Sequence, residues 1–357
     1  DTQGGTIDVS RFAFDLVQTL RLDIADATPL LTPVRSMAAA TLDIGSTAEG
    51  THNNVSSFQL RTGSWELLNP SITIRRKVNE QHAVGGAASY SLSNNNYSFR
   101  LRNGNTSSTE RRHNSRHQSA VGELNWAFRP DSLRRVRTKV YFSDTHSRLP
   151  GPVVLYNSEN KEQLGETLLF AQSRFDYTGT MVNAFAALKG QHQEHRYTNP
   201  DPQYPEGALT RQYRQSEAYA TGGMSYKMLP SLSVAYAVDY FYNHLATNLT
   251  AADNASRHTL LQAASVRYQH PKLTITARLT AHHAWNKAPK HANSPRNLSE
   301  LSPSLSLSAH PFDEHFTVRA FYKDYYRQPT FSETYFYHLG MPMLKPERTR
   351  QLGLGAT

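Results

Sequence analysis

The chain of 357 residues has no cysteine. That excludes a disulfide framework, thiolate metal sites and cysteine nucleophiles together, and it leaves the compartment open. Long apolar runs are missing as well. No stretch approaches the ~18 consecutive apolar residues of a membrane-spanning helix, so a helical membrane protein is excluded. Apolar residues make up only 38% and mean hydropathy is −0.59. Yet 19 tyrosines and 15 phenylalanines are too many for a disordered chain, which is poor in aromatics. No Met, basic n-region or apolar h-region opens the sequence at Asp1-Thr2-Gln3, so either a leader has been removed or the chain is a piece of something longer.

Catalytic signatures are also wanting. There is no Gly-rich phosphate loop, Gly-x-Ser-x-Gly elbow or His-Glu-x-x-His helix. Acidic pairs such as Asp313-Glu314 fall in a turn, where they are solvated. No enzyme is expected, and no cofactor. The net charge is +9, a balance that can accompany nucleic acid or anionic lipid. The basic residues are scattered, however, with only small clusters at Arg111-Arg112 and Arg134-Arg135. Zinc-finger and RNP signatures are absent, so no nucleic-acid partner is expected.

What is present is alternation with period two. Leu232, Val234, Tyr236, Val238, Tyr240 and Tyr242 share one face, with Ser233, Ala235, Ala237 and Asp239 opposite. Leu273, Ile275, Ala277, Leu279, Ala281, His283 and Trp285 oppose Thr274, Thr276, Arg278 and Thr280. Leu301, Leu305 and Leu307 oppose Ser302, Ser304, Ser306 and Ser308. A strand sorts residues onto two faces in this way, and a helix does not. Several of these stretches run for about 10 to 14 residues, against about five or six in soluble proteins, while a tilted transmembrane strand needs about 9 to 11. Tight turns at 77–80, 129–132, 228–231, 270–272 and 311–314 alternate with longer polar loops at 149–162, 199–207 and 286–297. Short turn, long strand, long loop, long strand is the asymmetry of an outer-membrane barrel. Tyr236, Tyr240, Phe241, Tyr242, Trp285, Tyr322, Tyr325 and Tyr326 lie near strand ends and are placed in its aromatic girdles. A soluble β-rich binding module remains the rival, but the serine-rich second faces suit a wet lumen better than a second packed layer.

The segment 1–50 differs. Ser10–Asp15 reads as a capped helical turn, Thr19–Ala25 and Ala38–Ile44 as short strands, and Glu49–Asn54 as a linker to the first long strand near Val55–Thr62. Residues 1–50 and 51–357 are therefore separate units, the second an array of about 14 long strands. Among the 16 histidines, His113 and His117 share a strand face only if no bulge intervenes. His282 and His283 point to opposite faces, which is poor for shared ligation. No metal site is assigned.

Arg327-Gln328-Pro329-Thr330-Phe331-Ser332-Glu333-Thr334-Tyr335, followed by Leu344-Lys345-Pro346-Glu347, resembles the mid-barrel signature of TonB-dependent outer-membrane receptors. Asp8–Phe12 and Arg148–Asn157 resemble the Bacteroidetes branch, and the first of them would be late plug, running on to a last plug strand at Val34–Ile44. One departure is Met341-Pro342-Met343, where Asn-Pro is common. The resemblance implies an all-β, antiparallel, up-and-down transmembrane barrel in the outer membrane of a Gram-negative bacterium. It covers about 14 of an expected 22 strands plus the tail of an N-terminal plug, a fragment of the whole design. It also implies TonB as a partner through the missing upstream part, outer-membrane lipid around the wall, and a small-molecule or metal-chelate ligand. The ligands in view are a ferric siderophore, haem or cobalamin. A passive porin is the alternative, and the plug-like segment 1–50 stands against it. The aromatic loop Gln328–Met343 carries Tyr335, Tyr337 and His338 as candidate ligand-binding residues. His338 occupies a position like that of the loop histidine in haem receptors of the family.

Overall fold

The structure, a computed structural model, describes residues 17–24, 29–37, 40–46, 54–152, 160–204, 206–249, 254–287, 295–312, 316–336, 340–341 and 343–357. Two short strands, β1 (Val17–Ile24) and β2 (Ala40–Ser46), pair only with each other, and a 3-10 turn at Val34–Ser36 lies between them. The long strands follow: β3 (Val55–Gly63), β4 (Leu67–Lys77), β5 (His82–Ser93), then a small hairpin of β6 (Ser98–Asn103) and β7 (Thr106–Arg111). Next come β8 (His117–Phe128), β9 (Arg134–Arg148), β10 (Gln163–Thr178), β11 (Val182–Asn199), β12 (Leu209–Leu229) and β13 (Leu232–Thr247). The chain continues with β14 (Ala255–His270), β15 (Leu273–Lys287), β16 (Leu298–Ala309), β17 (Val318–Arg327), a short helix α1 (Phe331–Tyr335), and β18 (Glu347–Ala356). From β3 to β18, fourteen strands form one antiparallel sheet in chain order, with the β6–β7 hairpin set outside it.

Alternation sorts each strand. On β13, Tyr236 and Tyr240 are exposed while Ala235, Ala237 and Asp239 are buried. On β14 and β15, Val266 and Leu279 are exposed, and Ala263, Ser265 and Thr280 are buried. Leu301 and Leu305 of β16 are exposed opposite buried Ser302. The apolar side faces out and the small and polar side faces in. Arg278 belongs to the inner side, where it donates to the carbonyl of Pro29 at 2.9 Å and to Ser265 Oγ at 3.0 Å. On β14 the exposed Tyr268 and the exposed His258 bracket Leu260, Gln262, Ala264 and Val266 on the same face. At ~3.3 Å per residue and a tilt of ~40°, that span is about 25 Å high, the apolar band of a membrane barrel. Gln262, the polar residue in the band, accepts a hydrogen bond from Tyr236 Oη at 2.6 Å.

The connections separate into a short-turn end and a long-loop end. At the short-turn end, Asn79 Oδ1 accepts from the backbone of Gln81 and His82, and Asp131 Oδ1 from Leu133 and Arg134. These side-chain turns need no Gly. A further turn at 179–181, bonded from Gly179 N to the Val182 carbonyl, has no Pro and was not anticipated. The long-loop end begins with a tight hairpin instead, in which Trp65 and Glu66 take φ of 58° and 63°, as a twisted two-residue turn requires.

Several expectations are corrected. Phe241 is buried on the inner face, stacked on Tyr219, and Tyr326 is buried edge-on to His282; neither belongs to an outer girdle. The β16–β17 pairing ends at Ser304↔Lys323, and past that point the regular alternation of β17 is lost. His113 lies in a loop, while His117 opens β8 with its Nδ1 3.0 Å from Ser147 Oγ, so the two share no strand face. Val34 begins a 3-10 turn because Pro33 fixes φ at −52°; the strand starts only at Ala40. Ser10–Asp15, Asp8–Phe12, Asp313-Glu314 and 153–157 lie outside the described residues.

The two faces predict opposite responses to charge. Leu279→Arg, outward at mid-strand, should destabilise the full-length protein by about 2–4 kcal/mol in urea titrations of lipid-refolded protein. Thr276→Arg, facing inward on the same strand, should cost far less. Equal losses would contradict the assignment of faces.

Candidate functional site

Two segments fold into the space lined by the inner wall. The first is 29–37. Val34 and Met37 are buried with Phe185, Tyr219, Ala237, Phe241, Leu261 and Ala263, and Leu31 packs beside them. Its anchor is Asp239, which is fully buried. The carboxylate accepts from Val34 N (3.1 Å), Arg35 N (2.8 Å), Tyr219 Oη (3.1 Å) and Thr221 Oγ1 (2.6 Å). A buried ionised carboxylate is tolerated only when donors replace its water, and here four do. The backbone donors come from the free first turn of the 3-10 helix, whose N–H groups have no partner within it. Arg35 lies 4.7 Å above the Tyr219 ring and 5.4 Å from that of Phe241, a cation–π contact.

The second segment is the turn after β17, where the Arg-x-Pro-Thr-Phe-x-Glu-x-Tyr stretch acquires a physical meaning. Pro329 has no N–H and cannot extend the ladder. Thr330 caps α1, accepting from Glu333 N, while Glu333 Oε2 accepts from Thr330 N at 2.8 Å. This is a reciprocal capping box. Arg327, the last residue of β17, grips Glu333 through two parallel bonds of 2.9 and 3.1 Å and reaches Glu347 Oε2 at 3.0 Å. Glu347 opens β18 directly across from Arg327. So the signature residues Arg327, Glu333 and Glu347 form one ionic knot that closes the loop at its base. The bonds from Arg327, and less so those from Thr330, hold the Glu333 carboxyl down at about 2. Leu344 and Lys345 are exposed.

The loop leans inward. Phe331 is almost fully buried and Tyr335 is 6% exposed, packed with Tyr213, Leu245 and Ala255 of three different strands. Phe336 stacks on Tyr213 with ring centres 3.8 Å apart and meets His195 edge-on at 6.0 Å. Arg257, buried on β14, donates to the Pro329 carbonyl at 2.7 Å and to Asn286 Oδ1 at 2.7 Å, and lies 5.2 Å from the Phe331 ring. Tyr335 is therefore a packing residue and not part of an exposed landing surface, which corrects its expected placement. Tyr337 and His338 lie outside the described residues. Between the two segments the inner wall is polar: Lys189 pairs with Glu217 at 3.2 Å, Asn243 donates to Glu217, and His195 lies 3.0 Å from Glu166.

Asp239, Arg257 and Arg35 escaped the sequence reading. A signal existed for Asp239, the one acid on a strand face that also carries Ser233, Ala235, Ala237, Phe241, Asn243 and Leu245.

A family model described as TonB-dependent receptor-like, beta-barrel matches residues 27–357. The chain belongs to this family. Among solved structures, the iron transporter FrpB of Neisseria meningitidis (F3-3 variant) superposes with a TM-score of 0.74 at 12% identity, over 96% of this chain and 58% of that one. The copper transporter OprC gives 0.72 at 15% identity, covering 97% and 57%. The Serratia marcescens hemophore receptor HasR, in complex with HasA and heme, gives 0.67 at 15% identity, covering 96% and 57%. At these identities the likeness is one of fold, and this TonB-dependent receptor chain spans somewhat more than half the length of the proteins it matches. No curated protein matches it in sequence.

The knot is acid-sensitive. Because the Glu333 pKa is lowered in the folded loop, its stabilisation is complete above the ordinary value of 4.5 and is lost as pH falls towards about 2. In full-length receptor, protease access to 328–346 should rise across that window. Glu333→Gln should give a loop whose access no longer depends on pH there. An unchanged acid response in the variant would remove the knot from the account.

Proposed function

We propose that this chain is the end of the plug, residues 1–50, and the first part of the barrel, residues 51–357, of a TonB-dependent receptor in the outer membrane of a Gram-negative bacterium. The receptor would import a large, scarce nutrient actively, with a ferric siderophore, haem or cobalamin as the ligand classes and no catalysis. Copper, heme and iron in the names of the structural neighbours are in keeping with metal-bearing ligands. TonB would act through the part upstream of this chain. The short-turn end would face the periplasm and the long loops the outside.

The observation that carries this reading is the clamp at Asp239. A passive pore has no use for a segment fastened across its inner wall by a buried carboxylate, whereas a gated receptor must hold its plug until energy releases it. The pairing of β1 with β2 alone, apart from the wall, supports the division near residue 50. The turn after α1, with Tyr337 and His338, is proposed to meet ligand, while Arg327, Pro329, Phe331, Glu333 and Glu347 shape the loop that carries it.

The test is uptake by receptor-deficient Gram-negative cells carrying the full-length protein. Growth on ferric siderophore, haem or cobalamin should depend on TonB and vanish when TonB is deleted. Uptake that persists at the same rate without TonB would identify a passive pore. His338→Ala should weaken haem binding if haem is the ligand; unchanged affinity and an unchanged haem absorption band would exclude that role.

A further inference from the structure

The outer face carries a row of histidines at one height. The short-turn ends of their strands are Arg134 of β9, Val182 of β11, Leu232 of β13, His270 of β14 and Leu273 of β15. Counted from those ends, His146, His192, His244, His258 and His283 all come after roughly ten to twelve positions, which at ~3.3 Å each and a tilt of ~40° is a height of about 25–30 Å. Each shares its face with exposed apolar residues, such as Phe142 below His146, Leu188 below His192 and Val266 below His258. The row therefore stands at the upper edge of the apolar band, where lipid headgroups begin. Strands β12 and β16 complete it with hydroxyls, Ser216 and Ser299.

Three of the imidazoles are held in the same manner. Nδ1 of His192 lies 3.0 Å from Ser216 Oγ, that of His258 lies 2.7 Å from Tyr240 Oη, and that of His283 lies 3.0 Å from Ser299 Oγ. A hydroxyl at this distance can donate to Nδ1 or accept from it; where it donates, a neutral imidazole carries its proton on Nε2, and in each case Nε2 has no partner among the described residues. His146 differs, its Nδ1 lying 3.1 Å from Asp144 Oδ2. Higher on the same face stand exposed Arg196 and the Arg214–Glu194 pair at 3.5 Å.

We propose that this row is a docking surface for the phosphate groups of outer-leaflet lipid, with the Nε2–H groups of His192, His258 and His283 as donors and Arg196 as the cation above them. Phosphate is the acceptor that matches a line of N–H donors at headgroup depth. Sugar hydroxyls would not need donors fixed in one direction, and acyl chains would need none. The inference rests on the outer-membrane reading above.

Full-length receptor in detergent is titrated with diphosphoryl lipid A and, separately, with the same lipid dephosphorylated, and bound lipids are counted by native mass spectrometry. The wild type should retain the phosphorylated lipid severalfold better. H192F/H258F/H283F, which keeps aromatic rings and removes the donors, should lose that preference, and the matching Asn variant should restore part of it. An undiminished preference in the Phe variant, or none in the wild type, overturns the proposal and leaves the histidines as plain girdle residues. Heat-modifiable gel migration checks folding. If the triple variant fails there, H192F and H258F/H283F are assayed separately with the same criterion. Fractionation keeps the two readings apart: a protein found in the outer membrane without phosphate preference loses only this inference.

Discussion

Hydrocarbon offers no partner to a backbone N–H or C=O, and each bare group there costs several kcal/mol. The structure depends on that constraint. It demands that every strand crossing the bilayer be paired on both sides, which antiparallel neighbours in chain order achieve with the shortest connections. It also gives the sequence its period of two, because one face of each strand meets lipid and the other meets a wet interior. Strand length follows as well, since a tilted strand has to cross the whole apolar band before it can turn.

What sits inside the wall is held by a different principle. Asp239 and Arg257 are buried charges whose contacts include backbone groups of the segments they hold: two N–H groups of 34–35, and the carbonyl of Pro329. A charge buried without partners is costly, so each anchor favours the docked arrangement of one particular segment. The surrounding aromatics, Tyr219 and Phe241 below and Tyr213 and Phe331 above, fill the remaining volume. A clamp of this kind is strong while dry. Admitting water to it supplies rival donors and weakens it.

The architecture was readable because the lipid constraint acts on every residue of a crossing strand, and alternation such as Leu273 to Trp285 repeats it many times. Strand ends were less readable. β12 runs 21 residues, and above the lipid both of its faces are polar, so the pattern fades where the strand does not. The girdle assignment failed at Phe241 and Tyr326 for a related reason: an aromatic on the inner face looks the same in sequence as one on the outer face once the 29–37 segment or a loop covers it. The signature around Arg327 was recognised as a motif, but its content, a capping box tied to two carboxylates, involves Glu347 at the start of the next strand and needed coordinates. Tyr335 looked like an exposed binding residue because its partners Tyr213, Leu245 and Ala255 are distant in sequence.

The absence of cysteine makes the account directly testable. Val34→Cys with Ala237→Cys in the full-length receptor, with any cysteine outside these 357 residues replaced by serine, joins the docked segment to the inner wall at the foot of the Asp239 clamp. Mild oxidation of the purified receptor should form the cross-link in most molecules, and both thiols should resist a water-soluble maleimide before oxidation. Rapid maleimide labelling of both thiols with no cross-link would place the 29–37 segment elsewhere and contradict the clamp.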